Sequence, residues 1–387
     1  MDYPIQINSL AGILMLGISS GLLVSLALLF RKQGNVAANR MLGLLLLGMS
    51  FGVLQALLIY SPYIQYFSLL QAVPGIVFLS YGPLIYLYIR RSILHYPDEL
   101  PKAKALHFLP MAIAIVIAIY FITTNEFKAD QPVFNQLQVK KQFLSMKLIG
   151  FSISAHNLIY LFLSFRLLQR YRTYVRQTAS FSNQTHFRWL LTIIGILLLP
   201  VFSTQITFLV FHGPPVRFPY PTIGFALMML IIHILYLFKP TLFSQLPEAL
   251  MVDDPEALEP VRYESSALAN DQKKRIHQKL LQYMDEAHPY RKQELTLRDL
   301  ADTLSVNVKY LSQVINEVQE QNFMDFINGY RINEAKDMLQ NRQYQHYTIV
   351  AIAQEVGFKS RSAFYNAFKK VVGSTPTAFK KEQSNLS

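Results

Sequence analysis

The stretch GFKSRSAFYNAFKK, Gly357 to Lys370, gathers side chains able to touch nucleic acid. A guanidinium such as that of Arg361 can bond guanine bidentately, and an amide such as that of Asn366 can do the same to adenine. Ser362 both donates and accepts, while Lys359 and Lys369 carry charge suited to phosphate. Helical spacing lets Lys359, Arg361, Ser362, Tyr365, Asn366 and Lys369 face outward. It turns Ala363, Phe364, Ala367, Phe368 and Val371 inward, so the phenylalanines read as core and not as stacking platforms for bases.

Such a helix needs a frame that holds it still. Thr348 caps TIVAIAQEVGF, whose Ile349, Ile352, Ala353 and Val356 form a buried stripe. Gly357 supplies a left-handed turn, and Ser360 caps the helix beyond it. The same pattern occurs upstream in LTLRDLADTLSVNVKYLSQVINEV. Thr296 followed by Asp299 is a capping signature, with Leu297, Leu300, Ala301 and Leu304 as the stripe. The chain turns at Ser305 and Val306, and Asn307 caps a second helix that buries Val308, Leu311, Ile315 and Val318. Its outward positions are Lys309, Tyr310, Ser312, Gln313 and Asn316. Two short helices with a tight turn, the second polar outside, define a helix-turn-helix. A long apolar-faced helix, Phe323 to about Gln340, connects the two units, and Arg331 within it is expected to pair with Glu334 or another neighbour. Ahead of them QKKRIHQKLLQYMDEAHPY forms a helix with Ile276, Leu280 and Tyr283 at helical spacing. At the end, Thr375 caps a last helix with Pro376 in its first turn.

On IAQEVGFKSRSAFYNAFKKVVGSTPTAFKK, Ile352–Lys381, and YRINEAKDML, Tyr330–Leu339, residues 271–387 resemble the DNA-binding domain of the AraC/XylS family of bacterial transcription regulators. The resemblance implies seven small helices, two helix-turn-helix units and insertion of two recognition helices into successive major grooves. It implies base or phosphate contacts by Lys309, Ser312 and Gln313 from the first recognition helix. Arg361, Ser362 and Asn366 serve the second, flanked by Lys359 and Lys369. The family commonly has Arg where this chain has Asn366. YGPLIYLYIR and LHFLP further resemble membrane-anchored members described mainly in Bacteroidota.

The rest of the chain is fit for lipid. Of 387 residues 52% are hydrophobic, and the net charge is +12. Residues 1–243 carry 18 Lys and Arg against 5 Asp and Glu, residues 244–270 carry 1 against 6, and residues 271–387 carry 17 against 13. These zones predict an all-α chain: a transmembrane domain over residues 1–240, an acidic linker over 241–270 and the DNA-binding domain over 271–387. A span needs about 20 apolar residues, and seven runs qualify: Leu10–Phe30, Met41–Tyr60, Ser68–Ile89, Leu106–Thr124, Leu148–Leu168, Trp189–Phe211 and Phe218–Phe238. Alternate loops hold 12 basic residues against 5 in the other set. The richer set faces the cytoplasm, which puts the N-terminus outside a bacterial inner membrane and the last domain in the cytoplasm. The linker, with its prolines and acids, reads as a solvated tether of roughly 30 Å root-mean-square span.

Polar groups within the spans are Gln55, Gln71, His156, Asn157, Gln205 and His233. His156, Asn157, Gln205 and His233 are the candidates for a ligand pocket; bonding between helices is the plainer role. The chain has no cysteine, which excludes disulfides and thiol chemistry, and the pattern implies no enzyme, metal or cofactor. The partners expected are double-stranded DNA, the lipid bilayer, a second copy of the chain and an unidentified signal or ligand. Residues 271–343 balance 11 basic against 11 acidic side chains, whereas residues 344–387 hold 6 against 2, so phosphate attraction concentrates in the second unit. The alternative reading is a membrane receptor whose C-terminal helices are a protein-interaction module.

Overall fold

The computed structural model describes residues 9–59, 76–94, 106–123, 139–181, 186–196, 220–243, 246–247, 250–252, 258 and 270–386. Most of these are helical, and no strand forms among them. The chain divides into two compact units: Met1–Leu168 with Gln184–Leu246, and Gln169–Asn183 with Pro247–Ser387.

The first unit contains α1 (Ser9–Leu29), α2 (Val36–Ile59), α3 (Tyr81–Ile93), α4 (Leu109–Thr123), most of α5 (Val139–Thr178), α6 (His186–Ile196) and α7 (Tyr220–Phe238). Among the described residues three helices are long and apolar enough to cross a membrane: Ser9–Leu29, Val36–Leu58 and Gly150–Thr178. Leu106–Ile117, His186–Ile196 and Thr222–Phe238 are apolar but shorter. Three of the seven expected runs thus form full-length apolar helices, and parts of the others, including residues 68–75 and 197–211, lie outside the described residues.

Small residues let these helices approach closely. A Cβ added to Gly17 would meet the Ala226 Cβ at 2.4 Å, so only glycine allows α1 to lie this close to α7. Ser25 Oγ donates to the Gly43 carbonyl at 2.8 Å, and Tyr81 Oη donates to the Gly48 carbonyl at 3.1 Å. Asn157 donates to the Phe78 and Ile153 carbonyls, both at 3.0 Å, and accepts from Gly82 N at 2.7 Å. His156 Nε2 lies 3.1 Å from the Leu79 carbonyl. Two of the four ligand candidates are thus engaged in helix-to-helix bonding; His233 is half-buried, and Gln205 and Gln71 lie outside the described residues. Large apolar side chains stay exposed on α1, α2 and α4, as with Leu16, Leu44 and Val116. Lipid would cover that kind of surface at no cost.

The second unit holds seven helices among its described residues: α8 (Asn270–Ala287), α9 (Leu297–Leu304), α10 (Val308–Val318), α11 (Phe323–Gln340), α12 (Ile349–Glu355), α13 (Arg361–Val372) and α14 (Pro376–Leu386). Two separate apolar cores form. One gathers Ile276, Leu280, Leu300, Leu311, Ile315, Phe323, Phe326 and Ile327. The other gathers Ile332, Ala335, Leu339, Ile352, Val356, Phe364, Phe368 and Phe379. The connecting helix α11 gives its first half to one core and its second half to the other.

Three expected core positions shift. Met284 and not Tyr283 completes the buried stripe of α8, Val318 is exposed, and Val371 is exposed while Val372 packs inward. Parts of the acidic stretch are also packed: Leu250, Met251, Val252 and Leu258 are buried, and Tyr171 Oη donates to the Leu250 carbonyl at 3.1 Å. These apolar side chains of the stretch are packed; its acidic residues lie outside the described set.

Candidate nucleic-acid interface

Both helix-turn-helix units are built by capping and a left-handed turn. In the first, the Thr296 hydroxyl accepts from Asp299 N at 3.1 Å while the Asp299 carboxylate accepts from Thr296 N at 2.9 Å. Burial works against the Asp299 charge, but bonds from Thr296 and Lys292 hold its carboxyl below the usual range. Helix α9 ends on Ser305 at φ 54°, and Val306 N returns to the Ala301 carbonyl at 2.9 Å. Asn307 then caps α10 by accepting from Lys309 N at 2.8 Å.

The second unit repeats this with different residues. Thr348 accepts from Ala351 N at 3.1 Å, Gly357 turns at φ 96°, and Phe358 N returns to the Ala353 carbonyl at 2.8 Å. Ser360 caps α13 by accepting from Ala363 N at 3.2 Å. Glycine is required at the turn twice over. The positive φ disfavours any side chain, and a Cβ would sit 2.5 Å from the Tyr290 carbonyl oxygen.

On α13 the structure brings the expected reading edge together. Arg361, Ser362, Asn366 and Lys369 are all exposed, and Phe364 and Phe368 are fully buried beneath them. Arg361 lies over Tyr365, its Cζ 5.0 Å from the ring centroid, and Nη2 donates to the Tyr365 hydroxyl at 3.3 Å. That hydroxyl also lies 3.0 Å from Thr377 Oγ1. The Thr377 bond and the neighbouring guanidinium together lower the Tyr365 pKa. Tyr365 is thus the platform that orients Arg361, a role marked in sequence only by the four-residue spacing of cation and aromatic. Lys359 stands at the edge of this group, ion-paired with Glu294.

On α10 the picture differs. Lys309 is exposed and Ser312 half-buried, with Asn316 Nδ2 donating to Ser312 Oγ at 3.3 Å. Gln313, expected on the outer edge, is 4% exposed. Its Nε2 donates to Glu317 at 2.9 Å and its Oε1 is buried without a hydrogen-bond partner. Helix α8 packs against this face, and Lys273 pairs with Glu317 at 2.7 Å. Of the residues expected on the outer edge of α10, Lys309 is exposed, Ser312 and Asn316 are half-buried, and Gln313 is not on that edge.

Arg331 corrects a further expectation. Glu334 pairs with Arg291, while Arg331 is 1% exposed and donates to carbonyl and hydroxyl oxygens. Burial pulls its pKa down to about 10, which leaves it charged at neutral pH.

Residues 300–382 match the family model described as a helix-turn-helix domain. The melibiose operon regulatory protein of Escherichia coli is 32% identical over 89 residues, covering 23% of this chain and 28% of that protein. The Msm operon regulatory protein of Streptococcus mutans is 29% identical over 91 residues, covering 24% of this chain and 32% of that protein. A solved structure of a protein of unknown function from Listeria innocua is 30% identical, covers 27% of this chain and 95% of its own, and has a TM-score of 0.24. The chain thus spans less than a third of the operon regulators it matches. The C-terminal unit carries a helix-turn-helix domain, and the relatives it matches are operon regulators.

Proposed function

We propose that the chain is a membrane-embedded transcription regulator, whose two recognition helices, α10 and α13, bind promoter DNA sequence-specifically under control of the apolar helices. The observation that carries this reading is the exposed edge of α13. Arg361, Ser362, Asn366 and Lys369 stand free of the core on a helix whose cap, turn and apolar stripe are all fixed. Arg361 would read guanine, Asn366 adenine, and Lys359, Lys369 and Lys309 would meet phosphates. The long apolar helices of the same chain support a bilayer as its other partner. The excess of basic residues in one set of loops supports a cytoplasmic face for the DNA-binding unit. A second copy of the chain would strengthen binding through effective concentration.

Genome-wide mapping of the sites occupied by the full-length protein, beside a knockout transcriptome, tests this reading. Enrichment at promoters of genes whose expression changes is expected. Membrane fractionation of the native protein should recover it in the bilayer fraction. Occupancy of no promoter would overturn the regulatory reading.

A further inference from the structure

Helix α5 runs unbroken for 40 residues, Val139 to Thr178, and its residues from Gln169 onward belong to the second unit. Just past its end, Ala179, Ser180 and Phe181 are buried, at 0%, 4% and 9% exposure. Ala179 pairs with Thr296 in an isolated antiparallel bridge. Ser180 N and Oγ both donate to the Leu295 carbonyl, at 3.0 and 2.8 Å. These three residues lie 115 positions or more ahead of their partners in sequence.

The contact falls on the seam between the two helix-turn-helix units. Arg331 sits on α11 where the first core gives way to the second. Its Nη1 donates to the Ser180 carbonyl at 3.0 Å and its Nη2 lies 3.1 Å from Ser180 Oγ. It also donates from Nε to the Tyr290 carbonyl at 2.7 Å and from Nη2 to the Lys292 carbonyl at 2.8 Å. Its guanidinium lies 5.5 Å from the Phe358 ring centroid, beside the turn of the second unit. Lys359 Nζ lies 5.7 Å from the ring centroid of Phe181. The segment thus touches Thr296, which caps the first unit, and Lys359, which precedes the cap of the second. The buried cation has no carboxylate among these partners, so its charge depends on the oxygens that surround it, two of them from Ser180.

We propose that Ala179–Phe181 is a strap, with Ser180 and Arg331 as positioning residues, that sets the distance between the two DNA-reading helices. Through it the membrane-traversing helix controls which spacing of DNA half-sites the protein accepts. This rests on the DNA-binding reading above. With the strap seated, both recognition helices are held at one separation and bind two grooves together. With it displaced, Arg331 loses two acceptors, the seam loosens, and the advantage of joint binding falls.

The test uses full-length protein in lipid nanodiscs and a promoter fragment from its own mapped sites, either intact or with one half-site scrambled. Wild-type protein that binds neither fragment overturns the DNA-binding reading and the strap with it. Given wild-type preference for the intact fragment, Ser180→Trp, which overfills a buried position, should bind that fragment about tenfold more weakly. Its affinity for the halved fragment should stay within about twofold, and it should tolerate two inserted base pairs between half-sites better than wild type does. Ser180→Ala, which removes only the hydroxyl, should show the same pattern at roughly two- to threefold. Wild-type affinity and spacing preference in Ser180→Trp would overturn the strap. If Ser180→Trp loses both fragments equally, Ser180→Ala decides: a loss confined to the intact fragment supports the strap, and no loss overturns it.

Discussion

The two helix-turn-helix units share a backbone plan but differ in how each residue meets it. The first turn is made by Ser305 at φ 54°, the second by Gly357 at φ 96°. The first opening helix carries a reciprocal capping box through Asp299, while the second has Ala351 at the same place and no acid in its first turn. On α10 fewer polar side chains stand outward, since Gln313 is buried and bonds Glu317, which pairs with Lys273 of α8. On α13 the whole edge is open, with Arg361 laid over Tyr365. Charge follows the same division, from a balanced first unit to a basic second one. The first unit is thus the more strongly capped, and the second presents more exposed polar and basic side chains.

The largest expected effect tests the turn. Gly357→Ala should destabilise the second unit by about 3 kcal/mol, from the left-handed backbone and the overfilled contact with the Tyr290 carbonyl. Hydrogen exchange should show α12 to α14 losing protection before α9 and α10; uniform loss would erase the distinction between the units. Next, Arg361→Ala should weaken binding to the mapped site by about 2 kcal/mol and relax the preference at one base pair. Lys309→Ala should instead weaken all DNA alike and reduce the salt dependence by about one charge. A greater loss of specificity from Lys309→Ala would reverse the roles assigned here.

The acid side separates the units next. The folded pKa of Asp299 lies below its ordinary 3.8, so its stabilisation is complete above that pH and disappears as pH falls through the folded value. Protection of α9 should therefore drop over this acidic range in the wild-type protein. That component should be absent in Asp299→Asn and in α12, where no such carboxylate exists. The smallest effect concerns Ser305. Ser305→Gly relieves a left-handed serine but frees the unfolded chain, for a net gain of about 0.5 kcal/mol in the first unit. A loss on thermal unfolding would show that the serine side chain contributes more than its backbone strain costs.

Much of the C-terminal half was legible because its signals are local. Thr296, Asn307, Thr348, Ser360 and Thr375 each lie within three residues of the N–H they cap, and all five caps form. Gly357 likewise marks its own turn. What escaped is non-local. The inward turn of Gln313 depends on the side of α10 against which α8 packs, which periodicity on α10 alone does not reveal. The acceptors of Arg331 come from Ser180, Tyr290 and Lys292, none of which a helical wheel of α11 contains. Ser180 reads as loop, and its partner Leu295 lies 115 residues on. In the apolar N-terminal half, hydropathy identified apolar runs but not which become long helices, because length and composition say little about where a helix ends without caps.

The continuous α5 gives this chain a property that a flexible tether would not. Each residue of an α-helix advances about 1.5 Å and turns by about 100°. Within the second unit, the approach of the chain to Ser180 is therefore set in height and angle by the helical residues 169–178. Lengthening α5 by one residue near Thr173 would change the facing of Thr178 relative to Gln169 by more than a quarter turn; seven added residues would nearly restore it. A strap driven through α5, as proposed above, would be sensitive to phase, its output rising and falling with inserted length on the helical period. A tether would respond only to reach, and smoothly.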